Sequence, residues 1–211
     1  MKKIDLTLYL VSDSTYHEEA KFLNIIEAAL KGGITFLQIR EKNKSYDEYL
    51  SLAKKVKELA DKYSVPLIID DNVKLAKEIN AAGVHLGNED MSILQAREIL
   101  GENFIIGASA KSVEAAILLY KDGADYLGVG AIFPTATKVK TKITSVDTLK
   151  SICKEVPIPV CAIGGLNEEN IHVVDNTGID GVAVVRAIIK ADNPEEKTRE
   201  LLKICKKAKG L

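Results

Sequence analysis

The stretch PLIIDDNVKLAKEINAAGVHL, residues 66–86, holds one full repeat of the fold. Leu67, Ile68 and Ile69 form an apolar run that ends abruptly in Asp70 and Asp71. A helix-period segment follows over 73–80, and then a second apolar run, GVHL (83–86). Both runs are too short for helices, and continuous apolar runs read as parallel strands buried on both faces. The unit is therefore strand, helix, strand. Its first strand poses a problem. Adjacent carboxylates repel, and each raises the other's pKa unless a positive charge stands nearby.

The same unit repeats in both directions. Six further apolar runs are LTLYLVS (6–12), TFLQIR (35–40), FIIGAS (104–109), YLGVG (126–130), IPVCAI (158–163) and GVAVV (181–185). Helical patterns fall between them at 18–31, 45–63, 92–100, 112–122, 146–155, 168–176 and 186–208. Segment 45–63 opens with Ser45 and Glu48 at capping-box spacing. It then repeats Tyr49, Leu52, Ala53, Val56 and Leu59 along one face. Pro194 should split the last segment in two. Eight strands alternating with eight helical segments predict an α/β chain folded as a single (β/α)8 TIM barrel over residues 1–211. An open doubly wound sheet is the competitor. GVGAIF (128–133) suggests its dinucleotide turn but lacks the final glycine and the immediate helix.

Net charge over the 211 residues is -1, with 46% hydrophobic and 28% charged residues. No basic excess points to nucleic acid or to an anionic membrane. No run approaches the roughly 20 apolar residues of a membrane span, and MKKIDLTLYLVSDST lacks the unbroken apolar core of a signal peptide. Cys153, Cys161 and Cys205 are odd in number and show no CxxC, which predicts packed free thiols in a reducing cytoplasm. Oligomeric state is left open, with a homo-oligomer admissible.

Barrel chemistry sits at the C-terminal ends of strands. There the sequence places Gln38, Arg40 and Lys42 after the second strand, and Asp70 and Asp71 after the third. Asp90 follows the fourth and Ser109 ends the fifth. Thr135, Thr137 and Lys138 follow the sixth, Gly164 and Gly165 the seventh, and Val185 and Arg186 the eighth. His85, with apolar neighbours, reads as a packed, hydrogen-bonded residue. Cations and carboxylates gathered at one end suggest phosphorylated small-molecule substrates and a hard metal. Mg2+ takes oxygen ligands, commonly one or two carboxylates plus phosphate oxygens. Asp71 and Asp90 can supply the carboxylates, and Arg40, Lys42 and Lys138 can hold phosphate. Mg2+ is then the expected positive charge beside Asp70 and Asp71. A second anion site is expected where Gly165 exposes an N–H and a helix starts near Arg186.

FLQIREK, GVHLGNED, IIGAS, GVGAIFPTATK and AIGGLNEENI, in this order and spacing, closely resemble the thiamine-phosphate synthase family. The resemblance runs along nearly the whole chain. It implies a transferase that condenses a hydroxymethylpyrimidine diphosphate with a thiazole phosphate, giving thiamine phosphate and pyrophosphate. By similarity Gln38, Ile39, Arg40, Glu41 and Lys42, with Ser109 and Lys138, hold the pyrimidine diphosphate. Asp70 falls within this substrate site, and Asp71 and Asp90 bind Mg2+. Thr135, Ala136 and Thr137, with Gly165, Val185 and Arg186, face the thiazole phosphate. Two positions depart from the family pattern: Asp70 replaces an asparagine, and Arg186 replaces a serine. Two rivals share the barrel. A thiazole tautomerase should carry a histidine after the sixth strand, where GVGAIFPT has none. A non-catalytic sensor would bind without turnover.

Overall fold

In the computed structural model, which describes residues 4–135 and 142–210, eight parallel strands close on themselves in sequence order. They are β1 (Leu8–Ser12), β2 (Phe36–Ile39), β3 (Leu67–Asp70), β4 (Gly83–Leu86), β5 (Ile105–Ala110), β6 (Tyr126–Gly130), β7 (Val160–Ile163) and β8 (Gly181–Val184). The closing pair sets Tyr9 against Ala183 and Leu10 against Val184. Each apolar run read from the sequence overlaps one of these strands.

Side chains alternate across each strand. Leu8, Leu10, Leu37, Ile39, Leu67 and Ile69 join the outer core beneath the helices. Tyr9, Val11, Phe36, Ile68, Ile105, Tyr126, Cys161 and Ala183 fill the bore. The continuous apolar pattern arises because both faces are dry.

The helices are α1 (Glu19–Gly32), α2 (Tyr46–Lys62), α3 (Val73–Glu78), α4 (Ile93–Leu100), α5 (Val113–Lys121), α6 (Val146–Glu155), α7 (Arg186–Ile189) and α8 (Pro194–Ala208). The capping box of Ser45 and Glu48 forms at the start of α2, and Tyr49, Leu52, Ala53 and Val56 bury its inner face. Pro194 occupies the first turn of α8, where a missing N–H costs nothing.

Segment 168–176 departs from the expected helix. It forms only a short 3-10 turn, Ile171–Val174. Asn167 and Asn170 explain the departure. Asn167 Oδ1 accepts from Glu169 N at 2.9 Å, and Asn170 Oδ1 accepts from Asn167 N at 2.8 Å. These local bonds compete with the helical ladder. Asn176 then turns the chain at φ +59°.

The end of the barrel away from the strand C-termini is tied by Arg97. Its guanidinium donates to the carbonyls of Gly101, Phe104 and Gly123 and to the Asp125 carboxylate, at 2.6–3.2 Å. The opposite mouth is left for chemistry.

Candidate active site

Strand parity decides which residues reach the mouth. Gln38, Arg40 and Lys42 line a cavity of about 1040 Å³. Ile39 and Glu41 point the other way. Ile39 is fully buried in the outer core. The Glu41 carboxylate accepts from Ser14 N at 3.0 Å and Ser14 Oγ at 2.9 Å, fastening the loop after β1. Burial of Glu41 pushes its carboxyl above the usual range, against the opposing pull of the Ser14 bonds. The sequence motif grouped all five residues as one ligand site; the structure gives two of these side chains other partners.

The loop after β1 is held a second time by His17 Nε2, 2.9 Å from the carbonyl of Ile189. Lys190 Nζ stands 4.0 Å over the ring of Tyr16. Loops from β1, β2 and β8 are thereby joined around the mouth.

Asp70 and Asp71 meet two protein cations. Lys42 Nζ lies 3.1 Å from Asp70 Oδ2 and is also paired with Asp71 Oδ2, while Arg40 Nε is 3.4 Å from Asp70 Oδ2. The positive partner of the paired acids in this structure is thus a lysine with an arginine behind it. Asp71 has φ +57°, a left-handed conformation that Asp tolerates better than most side chains. Its N–H bonds the His85 carbonyl at 2.9 Å, which seats the turn against β4. Asn72 then caps α3 through Leu75 N at 2.9 Å. Asp90, in the loop after β4, accepts from Gly87 N at 2.8 Å and lines the same cavity.

Ser109, Thr135, Gly165, Val185 and Arg186 complete the wall predicted from sequence. Gly165 has φ +67°, and a Cβ there would come within 2.6 Å of Phe133 Cβ and 2.8 Å of the Pro134 carbonyl oxygen. Only glycine lets the end of β7 approach the loop after β6 this closely. Ala136, Thr137 and Lys138, the rest of the expected substrate site on that loop, lie outside the described residues.

Several lining residues were not expected from the sequence. His85 reaches the cavity and bonds both Ser109 and Tyr126. Lys111, Lys190 and Lys197 also line it. Lys197 is shared between Glu168 and Glu200, at 2.7 Å each, and these carboxylates raise its pKa. Strand parity would have flagged His85, which has the same inward alignment as Asp70, its partner in register. The lysines come from loops and helices, where the sequence carries no parity signal.

A closed parallel barrel whose C-terminal mouth brings cations, paired carboxylates and exposed glycine backbone into one cavity has the architecture of the barrel enzymes, whose active sites sit at that face. The family model described as thiamine monophosphate synthase matches residues 8–188. The chain is 48% identical over 203 residues to thiamine-phosphate synthase 2 of Streptococcus pneumoniae serotype 4, covering 96% of this chain and 97% of that one. It is 47% identical to the thiamine-phosphate synthase of Methanobrevibacter smithii, again over 96% and 97%. A solved thiamine phosphate pyrophosphorylase from Pyrococcus furiosus superposes with a TM-score of 0.89 at 39% identity, covering 97% of both chains. The chain belongs to the thiamine monophosphate synthase family, whose members are transferases.

Proposed function

We propose that this chain condenses 4-amino-2-methyl-5-(diphosphooxymethyl)pyrimidine with 4-methyl-5-(2-phosphooxyethyl)thiazole, releasing thiamine phosphate and pyrophosphate. The observation that carries the proposal is the convergence of Arg40, Lys42, Asp71 and Asp90 on one cavity, in a chain whose near-full-length relatives are thiamine-phosphate synthases.

The donor set fits Mg2+. Asp71, just after β3, and Asp90, in the loop after β4, would offer hard carboxylate oxygens from one cavity wall, and Mg2+ characteristically takes one or two carboxylates and completes its shell with water and phosphate. When bound, Mg2+ would neutralise diphosphate charge and make it a better leaving group. Arg40 presents a planar fork suited to phosphate oxygens. Lys42 has a flexible stem, and it turns from the acids to the incoming diphosphate. The methylene–oxygen bond then breaks, its electron pair leaving with the diphosphate. The electron-rich aminopyrimidine stabilises the benzylic-type carbocation. The thiazole nitrogen donates its lone pair to that carbon, forming the new C–N bond. Gly165 N–H and Arg186 hold the thiazole phosphate. No protein nucleophile is required, so catalysis rests on positioning and charge stabilisation.

The partners in this reading are two phosphorylated small molecules, and the setting is the cytoplasm. Among the described residues, no helix is long and apolar enough to cross a membrane. The test is pyrophosphate release with both substrates and Mg2+. Release that requires both substrates supports the synthase. Thiazole isomerisation without release would establish the tautomerase, and binding without turnover the sensor.

A further inference from the structure

The outer faces of the helices differ around the barrel. On α1, α2 and α8 they are laced with ion pairs. Glu27 holds Lys31 and Lys62, Glu19 holds Lys55, Asp61 holds Lys57, and Glu200 holds Lys197. On α3 and α4 the pattern changes. Lys74 and Lys77 of α3 and Glu98 of α4 have no ion pair among the described residues. Apolar side chains stand in the open beside them. Met91, Leu94 and Ile99 are three of the seven large apolar residues exposed among the described residues, and Leu94 is 57% exposed. Two more, Leu118 and Tyr120, follow on α5. Exposed apolar side chains gathered in one place and rimmed by charge mark an interaction surface.

The surface has a shape. Val73, Lys74, Lys77 and Glu78 on one bank, with Met91 and Ile99 on the other, line a groove of about 440 Å³. Lys77 Nζ crosses it to donate to the Ile99 carbonyl at 2.7 Å. Lys74 Nζ rests 4.8 Å over the Tyr46 ring, and Glu78 accepts from the Tyr46 hydroxyl. The α3 bank, with two lysines and one glutamate, is net positive. On the α4 bank Glu98 is exposed next to Ile99, while Arg97 is drawn away to Asp125. That bank is negative. An apolar strip lies between the two.

This layout matches itself. In a two-fold dimer one patch serves both copies, and where residue i meets j, j meets i. A two-fold axis along the groove lays α3 of one copy over α4 of the other. Met91 and Ile99 of both copies then close on one apolar strip, and a positive bank meets a negative bank twice. Rotation about that axis leaves height along it unchanged. Lys77 already reaches the level of Ile99 on its own α4, so across the axis it stands level with Glu98 of the second copy. Any other protein would need to carry this pattern of charge and apolar surface; a second copy of the chain carries it already.

We propose that the α3–α4 face is the contact surface of a homodimer, in which Lys77 of each copy pairs with Glu98 of the other around a strip of Met91 and Ile99. The contact begins one residue after Asp90, so the second copy backs the loop that carries it. Nothing in this depends on which substrates the cavity takes.

Sedimentation velocity of the full chain over a concentration series tests the proposal. Wild type should be dimeric at about 100 μM, above the micromolar limit of ordinary interfaces; a monomer there overturns the proposal. Lys77→Glu and Glu98→Lys should each set like charges together at both contacts and weaken the dimer by on the order of tenfold or more. An equal mixture of the two variants should restore it, because every contact again joins opposite charges. Both changes on one chain should do the same. Ile99→Glu should abolish the dimer by placing a charge in the apolar strip. A dimer that neither reversal weakens, or that mixing fails to restore, overturns this face as the contact. Circular dichroism separates lost contact from lost fold. If the variants do not fold, hydrogen exchange of the wild type decides: the amides of α3 and α4 should be better protected at high than at low concentration, and equal protection overturns the proposal.

Discussion

Asp70→Asn is the sharpest test of the charge arrangement at the mouth. The change keeps the side-chain shape and removes one negative charge from beside Arg40 and Lys42. Asp70 is 10% exposed, while Lys42, 3.1 Å away, is 46% exposed, so the effective dielectric constant lies between the near-surface and bulk-water values. For a phosphate charge about 6 Å from Asp70 and a dielectric constant of about 40, the repulsion removed is ~1.4 kcal/mol, roughly tenfold in binding. The variant should bind the pyrimidine diphosphate about tenfold more tightly in calorimetric titrations at low salt. The gain should shrink as ionic strength rises and screening shortens the interaction range. The Mg2+ concentration for half-maximal activity should change less than about twofold, because Arg40, 3.4 Å from Asp70, balances its charge. Weaker diphosphate binding, or a several-fold greater Mg2+ requirement, would refute the reasoning and make Asp70 part of the metal site.

Asp71→Ala and Asp90→Ala should each lower turnover by on the order of 10² or more while the circular dichroism spectrum persists; near-normal turnover with an unchanged Mg2+ requirement would remove the pair from the metal site. Glu41 has a folded-state pKa raised by burial. The folded state therefore binds its proton more tightly, and the associated stability is present below the unfolded pKa and lost as pH rises through the folded one. Glu41→Gln should remove that step, so melting temperatures of wild type and variant, followed upward from about pH 4, should diverge with pH; a constant difference would count against it. Burial pushes the thiols of Cys153, Cys161 and Cys205 up to about 12, so Cys161 and Cys205 in the native protein should react with a disulfide reagent at pH 8 on the order of 10³ times more slowly than free cysteine. Rapid labelling of either would contradict their burial.

The strands were legible because both of their faces are dry, and composition alone reports that. The helix expected at 168–176 failed because Asn167 and Asn170 offered the backbone nearer partners, an effect that hydrophobic spacing does not register. At the site, Gln38 and Arg40 follow from the alternation of β2, and Lys42 comes from the loop beyond it. The same alternation already turns Ile39 and Glu41 away, and reading FLQIREK as one motif obscured it. The question raised by Asp70 and Asp71 needed the fold. Lys42 is 29 residues from Asp71 in sequence, and only barrel closure with strand register brings them together. The Tyr9–Tyr126 contact spans 117 residues and has no local signature. His85 was read as a hydrogen-bonded packing residue, and it has those bonds; that they end at a cavity-facing serine is a property of the assembled bore.

The chain contains seven tyrosines and no tryptophan. Its near-ultraviolet absorbance and emission therefore come chiefly from phenols, and two of those, Tyr9 and Tyr126, are hydrogen-bonded to each other and lie directly behind the cavity-lining Gln38 and His85. A ligand that contacts Gln38 or His85 changes the hydrogen-bonded surroundings of a native chromophore. Ligand entry can thus be followed optically in the unlabelled protein, with no reaction taking place, and Tyr9→Phe and Tyr126→Phe identify which part of the signal belongs to the barrel interior.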